Sequence, residues 1–218
     1  METLQRALCL ALIGWSGLSH AVTISLGPDN AGISSLTNIT IDETAKTIAF
    51  TETWTNAGTG SLLFEALTGD NWTVTKTIIN NSGVDWTRLA NELLDIAGDG
   101  DDAADPLPLP AHVPSGWTTS NQGDGLTFGA PRSSDTWTQI LVDEISDVRD
   151  FNDYFNGTLL SGNTAVIITE LDALNNGNNF LWQQRPNQFS AVPEPATLAL
   201  MTLGLACIGS RWKRKIAT

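Results

Sequence analysis

The chain has 218 residues and a net charge of −13, with two cysteines and two histidines. Between Val22 and Ala191 there are 22 acidic residues against six basic ones, net −16, which argues against nucleic acid as a partner and for solubility outside the cell. An apolar fraction of 41% is too high for disorder, and about 165 residues bury enough apolar area for one domain without disulfides.

Residues 1–21 read as a secretory signal peptide. Arg6 and the amino terminus make a positive start, and Ala7–Gly14 form the apolar core. Ser19-His20-Ala21 place small residues where a signal peptidase reads. Cleavage is expected between Ala21 and Val22, after passage through the Sec translocon. Both cysteines, Cys9 and Cys207, lie in the hydrophobic end segments. The body between them therefore has no disulfide to draw on.

The body, residues 22–184, reads as short strands separated by polar turns. Val22–Leu26 alternates and ends at Gly27-Pro28. Leu36–Ile41 places Ile39 and Ile41 on one face. Thr47–Thr55 alternates Ile48, Phe50 and Trp54 against Thr47, Ala49, Thr51 and Thr53, the period of a strand with one face buried. Asn56–Gly60 is a loop and Leu62–Leu67 a strand. Trp72–Asn80 puts Trp72, Val74 and Ile78 on one face and ends at the turn Asn80-Asn81-Ser82-Gly83.

Trp86–Ala97 fits two templates: Trp86, Leu89, Ala90, Leu93 and Ala97 at helical spacing, or Trp86, Ala90, Leu94 and Ile96 on one strand face. Gly98–Gly125 is a long Gly-, Asp- and Pro-rich loop. Leu126–Gly129 and Asp135–Val148 read as strands, the second with Trp137, Leu141 and Ile145 in phase. Arg149–Phe155 reads as a helical turn, and Asn156-Gly157 as a tight turn. Thr164–Leu171 is the most apolar strand, Asn175–Asn179 a loop, and Phe180–Gln183 the last strand. Many short strands without a βαβ rhythm predict a mainly β fold, a single β-sandwich, Ig-like or jelly-roll-like. Residues 185–191 read as a linker.

Candidate chemistry in the body is sparse. Asp99, Asp101, Asp102 and Asp105 cluster in the long loop and could ligate Ca²⁺, but Ala103, Ala104 and Pro110 break the EF-hand pattern, so a solvated acidic loop is the preferred reading and no cofactor is expected. His112 is the body's lone histidine. It sits in a Pro-rich loop without a Gly-x-Ser-x-Gly elbow, so neither a hydrolase triad nor a histidine metal cluster is expected. A glycosidase needs only two carboxylates, and none of the 22 is marked out as a pair. The body has six tryptophans. Trp54, Trp72 and Trp137 share apolar faces and read as core, whereas Trp117, beside Gly116 and Thr118, is the candidate for stacking on a sugar.

The C-terminus has three parts. Val192-Pro193-Glu194-Pro195 comes first, and its prolines keep it out of helix and sheet interior and open to a processing enzyme. An apolar run follows, expected as a transmembrane helix over about 196–212. The fourteen residues Ala196–Gly209 span only about 21 Å, against a hydrocarbon core of about 30 Å. Arg211, Lys213, Arg214 and Lys215 then form a basic stop that favours a cytoplasmic end.

Residues 192–215 so arranged resemble the PEP-CTERM sorting signal of Gram-negative, polysaccharide-producing bacteria. The resemblance implies recognition by an exosortase, a membrane-embedded cysteine transpeptidase that supplies the catalytic residues itself. The apolar run is shorter than is usual in that family. The segments Thr75–Trp86 and Phe155–Gly162 also loosely resemble the bodies of such exported proteins. The function expected is that of an exported envelope or extracellular-matrix protein with a structural or adhesive, non-enzymatic body, anchored in the inner membrane until it is processed. Two alternatives stay open: a carbohydrate-binding module for extracellular polysaccharide, and a secreted hydrolase.

Overall fold

A computed structural model describes residues 21–98, 110–120, 125–143, 149–174 and 179–190. Among the described residues twelve strands carry the fold: β1 (Thr23–Leu26), β2 (Ile33–Asp42), β3 (Thr47–Trp54), β4 (Gly60–Glu65), β5 (Gly69–Asn80), β6 (Trp86–Ile96), β7 (Trp117–Thr119), β8 (Leu126–Ser134), β9 (Gln139–Asp143), β10 (Phe151–Leu159), β11 (Thr164–Ala173) and β12 (Phe180–Pro186). They form two sheets, as the mainly β, sandwich reading expects. The first runs β1-β4-β12-β6-β10-β9, with β7 also paired to β6; the second runs β2-β3-β5-β11-β8.

Every pairing is antiparallel except β3 with β5. Parallel neighbours need a crossover, and β4 supplies it by leaving the second sheet to pair with β12 in the first.

The core lies between the sheets. On β3 and β5 the alternation seen in the sequence is the burial pattern: Ile48, Phe50 and Trp54, and Trp72, Val74 and Ile78, all face inward. Aromatic rings fill the middle. Phe64 stacks on Phe180 at 4.9 Å, the Phe128 ring meets Trp182 edge-on at 5.1 Å, and Trp54 meets Trp86 edge-on at 5.0 Å. Gly60 is required at the Trp54 contact, because a Cβ there would sit 2.2 Å from the indole ring.

Several local expectations are corrected. Trp86–Ala97 resolves to strand β6, whose middle is buried on both faces, so helix-like spacing of its apolar residues carried no information. Ile39 is exposed, because a bulge at Asn38, where φ is +53°, breaks the β2 register between Thr37 and Thr40. Arg149–Phe155 is not a helical turn, and Asn156-Gly157 does not reverse the chain. Both segments belong to or lead into β10, which absorbs Asn156 (φ +59°) in a bulge between Phe155 and Leu159.

Of the described part of Asp135–Val148, residues 135–143, Gln139–Asp143 is strand. Trp137 is core, Leu141 is exposed, and Ile145 lies outside the described residues. The long loop contains β7. Residues 185–190, read as linker, continue β12 to Pro186 and then pack on the body. The expected helix over about 196–212 lies outside the described residues.

Candidate functional site

Two polar clusters are buried on opposite faces of the first sheet, and side-chain alternation on β6 and β12 separates them. Asn91 and Gln184, paired across β6 and β12, point into the core. Glu92, Gln183 and Arg185 point to the outer face.

The inner cluster joins both sheets. Glu52 of β3, Lys76 of β5, Asn91 of β6 and Gln184 of β12 are all fully buried. Lys76 Nζ donates to Gln184 Oε1 at 2.5 Å and to Asn91 Oδ1 at 2.9 Å. Gln184 Nε2 donates to Glu52 Oε1 at 2.6 Å, and Trp54 Nε1 donates to Glu52 Oε2 at 2.9 Å. Trp182 Nε1 donates to Asn91 Oδ1 at 2.9 Å, and its ring lies 4.4 Å from the Lys76 ammonium. The Gln184 amide orientation follows from its partners, since ammonium can only donate and carboxylate only accept. Burial pulls Lys76 down to about 8 despite the opposing charge of Glu52, and burial pushes Glu52 up despite Lys76 and two hydrogen bonds.

The outer cluster centres on Glu92, which is also fully buried. His112 Nε2 approaches Glu92 Oε2 at 2.8 Å, Arg185 Nη1 donates to the same oxygen at 2.9 Å, and Arg149 Nε donates to Oε1 at 2.6 Å. Burial would raise the Glu92 carboxyl, but the His112 hydrogen bond and the Arg185 and Arg149 charges outweigh it and hold it at about 2.

Ser190 closes this cluster. Its N–H donates to Asp153 Oδ2 at 2.6 Å, its hydroxyl accepts from Arg185 Nη2 at 3.2 Å, and its carbonyl accepts from Arg149 Nη1. Burial pushes Asp153 up to about 6, against the Ser190 hydrogen bonds and the Arg185 charge, with the charge of Glu92 adding to the rise. Among the described residues, Asp153 Oδ1 has no hydrogen-bond partner.

The hook leading to Ser190 starts at Asn187 (φ +58°), whose N–H donates to the Arg88 carbonyl and whose Oδ1 accepts from the Thr87 N–H. Phe189 then packs edge-on against Phe155 at 5.7 Å and under the Arg88 guanidinium at 4.1 Å.

The sequence candidates fare unevenly. His112 is tied to Glu92 by its ring and to Gln183 by its carbonyl, an anchor for the loop that carries it. Trp117 is not a loop residue: it sits on β7, opposite Ile96, and is half-buried. Trp54, Trp72, Trp86, Trp137 and Trp182 are all core. Val22 packs into the core while Ala21 is exposed. Asp99, Asp101, Asp102 and Asp105 lie outside the described residues, as do Val192, Pro193, Glu194, Pro195, Arg211, Lys213, Arg214 and Lys215. Among the described residues no group of three or more His, Cys, Asp or Glu side chains could hold a metal ion.

Both buried clusters escaped the sequence. The one signal that could have found them is a charged or amide residue at an inward position of an otherwise apolar strand, as at Glu52 between Phe50 and Trp54.

No curated protein and no solved structure gives a significant match to the chain. Residues 191–215 match the PEP-CTERM protein-sorting motif. The body is thus pinned by three hydrogen bonds at Ser190, and the motif begins at the next residue. The chain carries a PEP-CTERM protein-sorting motif at its C-terminal end, and that motif implies export and membrane-anchored sorting by an exosortase.

Proposed function

We propose that the chain is an exported envelope or extracellular-matrix protein whose sandwich body has a structural or adhesive, non-enzymatic role. The Sec translocon delivers it and signal peptidase cuts between Ala21 and Val22. The apolar run holds the body at the inner membrane until an exosortase acts at Val192–Pro195 and releases it toward the polysaccharide outside.

The sorting motif at residues 191–215 carries this reading. Two features of the body support it. Val22 N lies 3.5 Å from Glu43 Oε1, so a new amino terminus there would gain an opposite charge. At the other end, Ser190 is held by Arg149, Arg185 and Asp153, so processing at the motif can leave the body intact. The body needs no cofactor on this reading, and calorimetry with millimolar Ca²⁺ should give no heat from Asp99, Asp101, Asp102 and Asp105.

The deciding experiment is intact-mass measurement of the surface-associated protein in strains with and without the exosortase. A shortened C-terminus only where the enzyme is present is expected, and a full-length mass in both strains sinks the proposal. Half-buried Trp117 keeps the carbohydrate-binding alternative testable: quenching of tryptophan fluorescence by the producer's polysaccharide, lost in Trp117→Ala, would favour it.

A further inference from the structure

We propose that Lys76 and Gln184 become joined by an amide bond that links the two sheets through the core, with the Gln184 side-chain nitrogen expelled as ammonia.

The arrangement supplies each part the reaction requires. The nucleophile is an amine held against a carboxamide: Lys76 Nζ is 2.5 Å from Gln184 Oε1. A C=O bond is about 1.23 Å, so the amide carbon lies at most about 3.7 Å from Nζ, close to the roughly 3–3.5 Å of a near-attack pair. Asn91 Oδ1, fixed by the Trp182 N–H, accepts from Nζ at 2.9 Å and so orients the amine. The acid stands where the leaving group departs, since Glu52 Oε1 is 2.6 Å from Gln184 Nε2. All four polar residues are fully buried, so water does not compete for the carbonyl. The same burial pulls Lys76 down to about 8 and pushes Glu52 up, which makes the amine that attacks and the carboxyl that donates easier to reach from the charged pair.

The step balances within the chain. The surplus proton of the Lys76 ammonium passes to Glu52. The Nζ–Cδ bond forms and the Cδ–Nε2 bond breaks. A proton moves from the attacking nitrogen to the departing one with Glu52 as its carrier, and one ammonia leaves. Nothing is oxidised or reduced. The product ties β5 of the second sheet to β12 of the first, a covalent brace in a body that contains no cysteine.

Asn91 is the competing acceptor. Its oxygen is farther from Nζ, and its amide nitrogen faces only the carbonyls of Leu89 and Asn152, which have no proton to give.

The test is peptide mapping by mass spectrometry of the full-length chain, folded, then denatured and digested with trypsin. The expected result is a branched species containing Lys76 and Gln184, lighter by one ammonia than its two peptides together, with no cleavage after Lys76. Glu52→Gln should fold, as judged by near-ultraviolet circular dichroism, and yield the two peptides unlinked. Separate, full-mass peptides from the folded parent overturn the proposal, and a link from Lys76 to Asn91 overturns the assignment of the acceptor. Equal linkage in Glu52→Gln overturns the proton transfer as written. If Glu52→Gln does not fold, the parent map decides by itself.

Discussion

Asp153→Asn should stabilise this protein at neutral pH although it removes a charge that Arg185 favours. Burial pushes the Asp153 carboxyl from 3.8 to about 6, so the folded state prefers it protonated. For a group raised on folding, the favourable contribution is fully present below the unfolded value and is lost as pH rises through the folded one. The gap between 3.8 and about 6 is worth about 3 kcal/mol at about 1.4 kcal/mol per pH unit. At pH 7 the parent has lost that contribution.

Asn at this position mimics the protonated acid. Its oxygen can still accept from the Ser190 N–H, and its amide nitrogen takes the place of the unpartnered Oδ1. The variant should therefore gain up to about 3 kcal/mol at pH 7, roughly 6–12 °C in Tm for a domain of this size, and match the parent near pH 4. Thermal unfolding followed by circular dichroism at the two pH values reads this directly. A variant that melts at or below the parent at pH 7 refutes the argument that burial outweighs the Arg185 charge.

Glu92 has the opposite sign. Its carboxyl is held at about 2, so its contribution is present above 4.5 and is lost as pH falls toward 2. Parent stability should decline on acidification below about pH 4.5, with the decline flattened in Glu92→Gln. That substitution leaves Arg149 and Arg185 buried without their shared carboxylate, and chemical denaturation should show a loss of about 3–5 kcal/mol. Gly157→Ala should cost about 1–3 kcal/mol in the same assay, because its Cβ would lie 2.1 Å from the Thr136 carbonyl oxygen, a backbone atom that cannot rotate aside. Replacing Glu194 with Ala in the producing strain should leave full-length chain in the membrane fraction, seen by immunoblot against the folded body. Release at the parental rate would detach sorting from the motif.

Strand alternation was legible wherever one face meets the core and the other meets solvent. Thr47–Thr55 and Trp72–Asn80 satisfy that condition, and their inward apolar residues Ile48, Phe50, Trp54, Trp72, Val74 and Ile78 could be named in advance, though not Glu52 and Lys76 between them. The rule fails on β6, which is covered on both faces. It also fails at Asn156-Gly157, where turn chemistry is consumed by a bulge inside a strand. Trp117 looked like a loop residue because a three-residue strand has too little sequence to show a period.

The sorting signal is local, and the sequence determined it alone. A proline-bounded motif, an apolar run and a cationic end act through their own composition, and no tertiary contact is needed to read them. The β class was likewise set by the sequence, because alternation and turn residues act over a few positions. The two buried clusters were decided only by the tertiary structure. Glu52, Lys76, Asn91 and Gln184 meet because the two sheets stack face to face, and the longest of their hydrogen bonds in sequence spans 132 residues. Glu92 and Arg185 meet because β6 and β12 pair and share one face, Arg149 reaches them from the segment before β10, and Ser190 joins them because the chain hooks back after Pro186. Charges so far apart in the chain are solvated in an extended polypeptide, and the fold that removes water from them also gives them their partners.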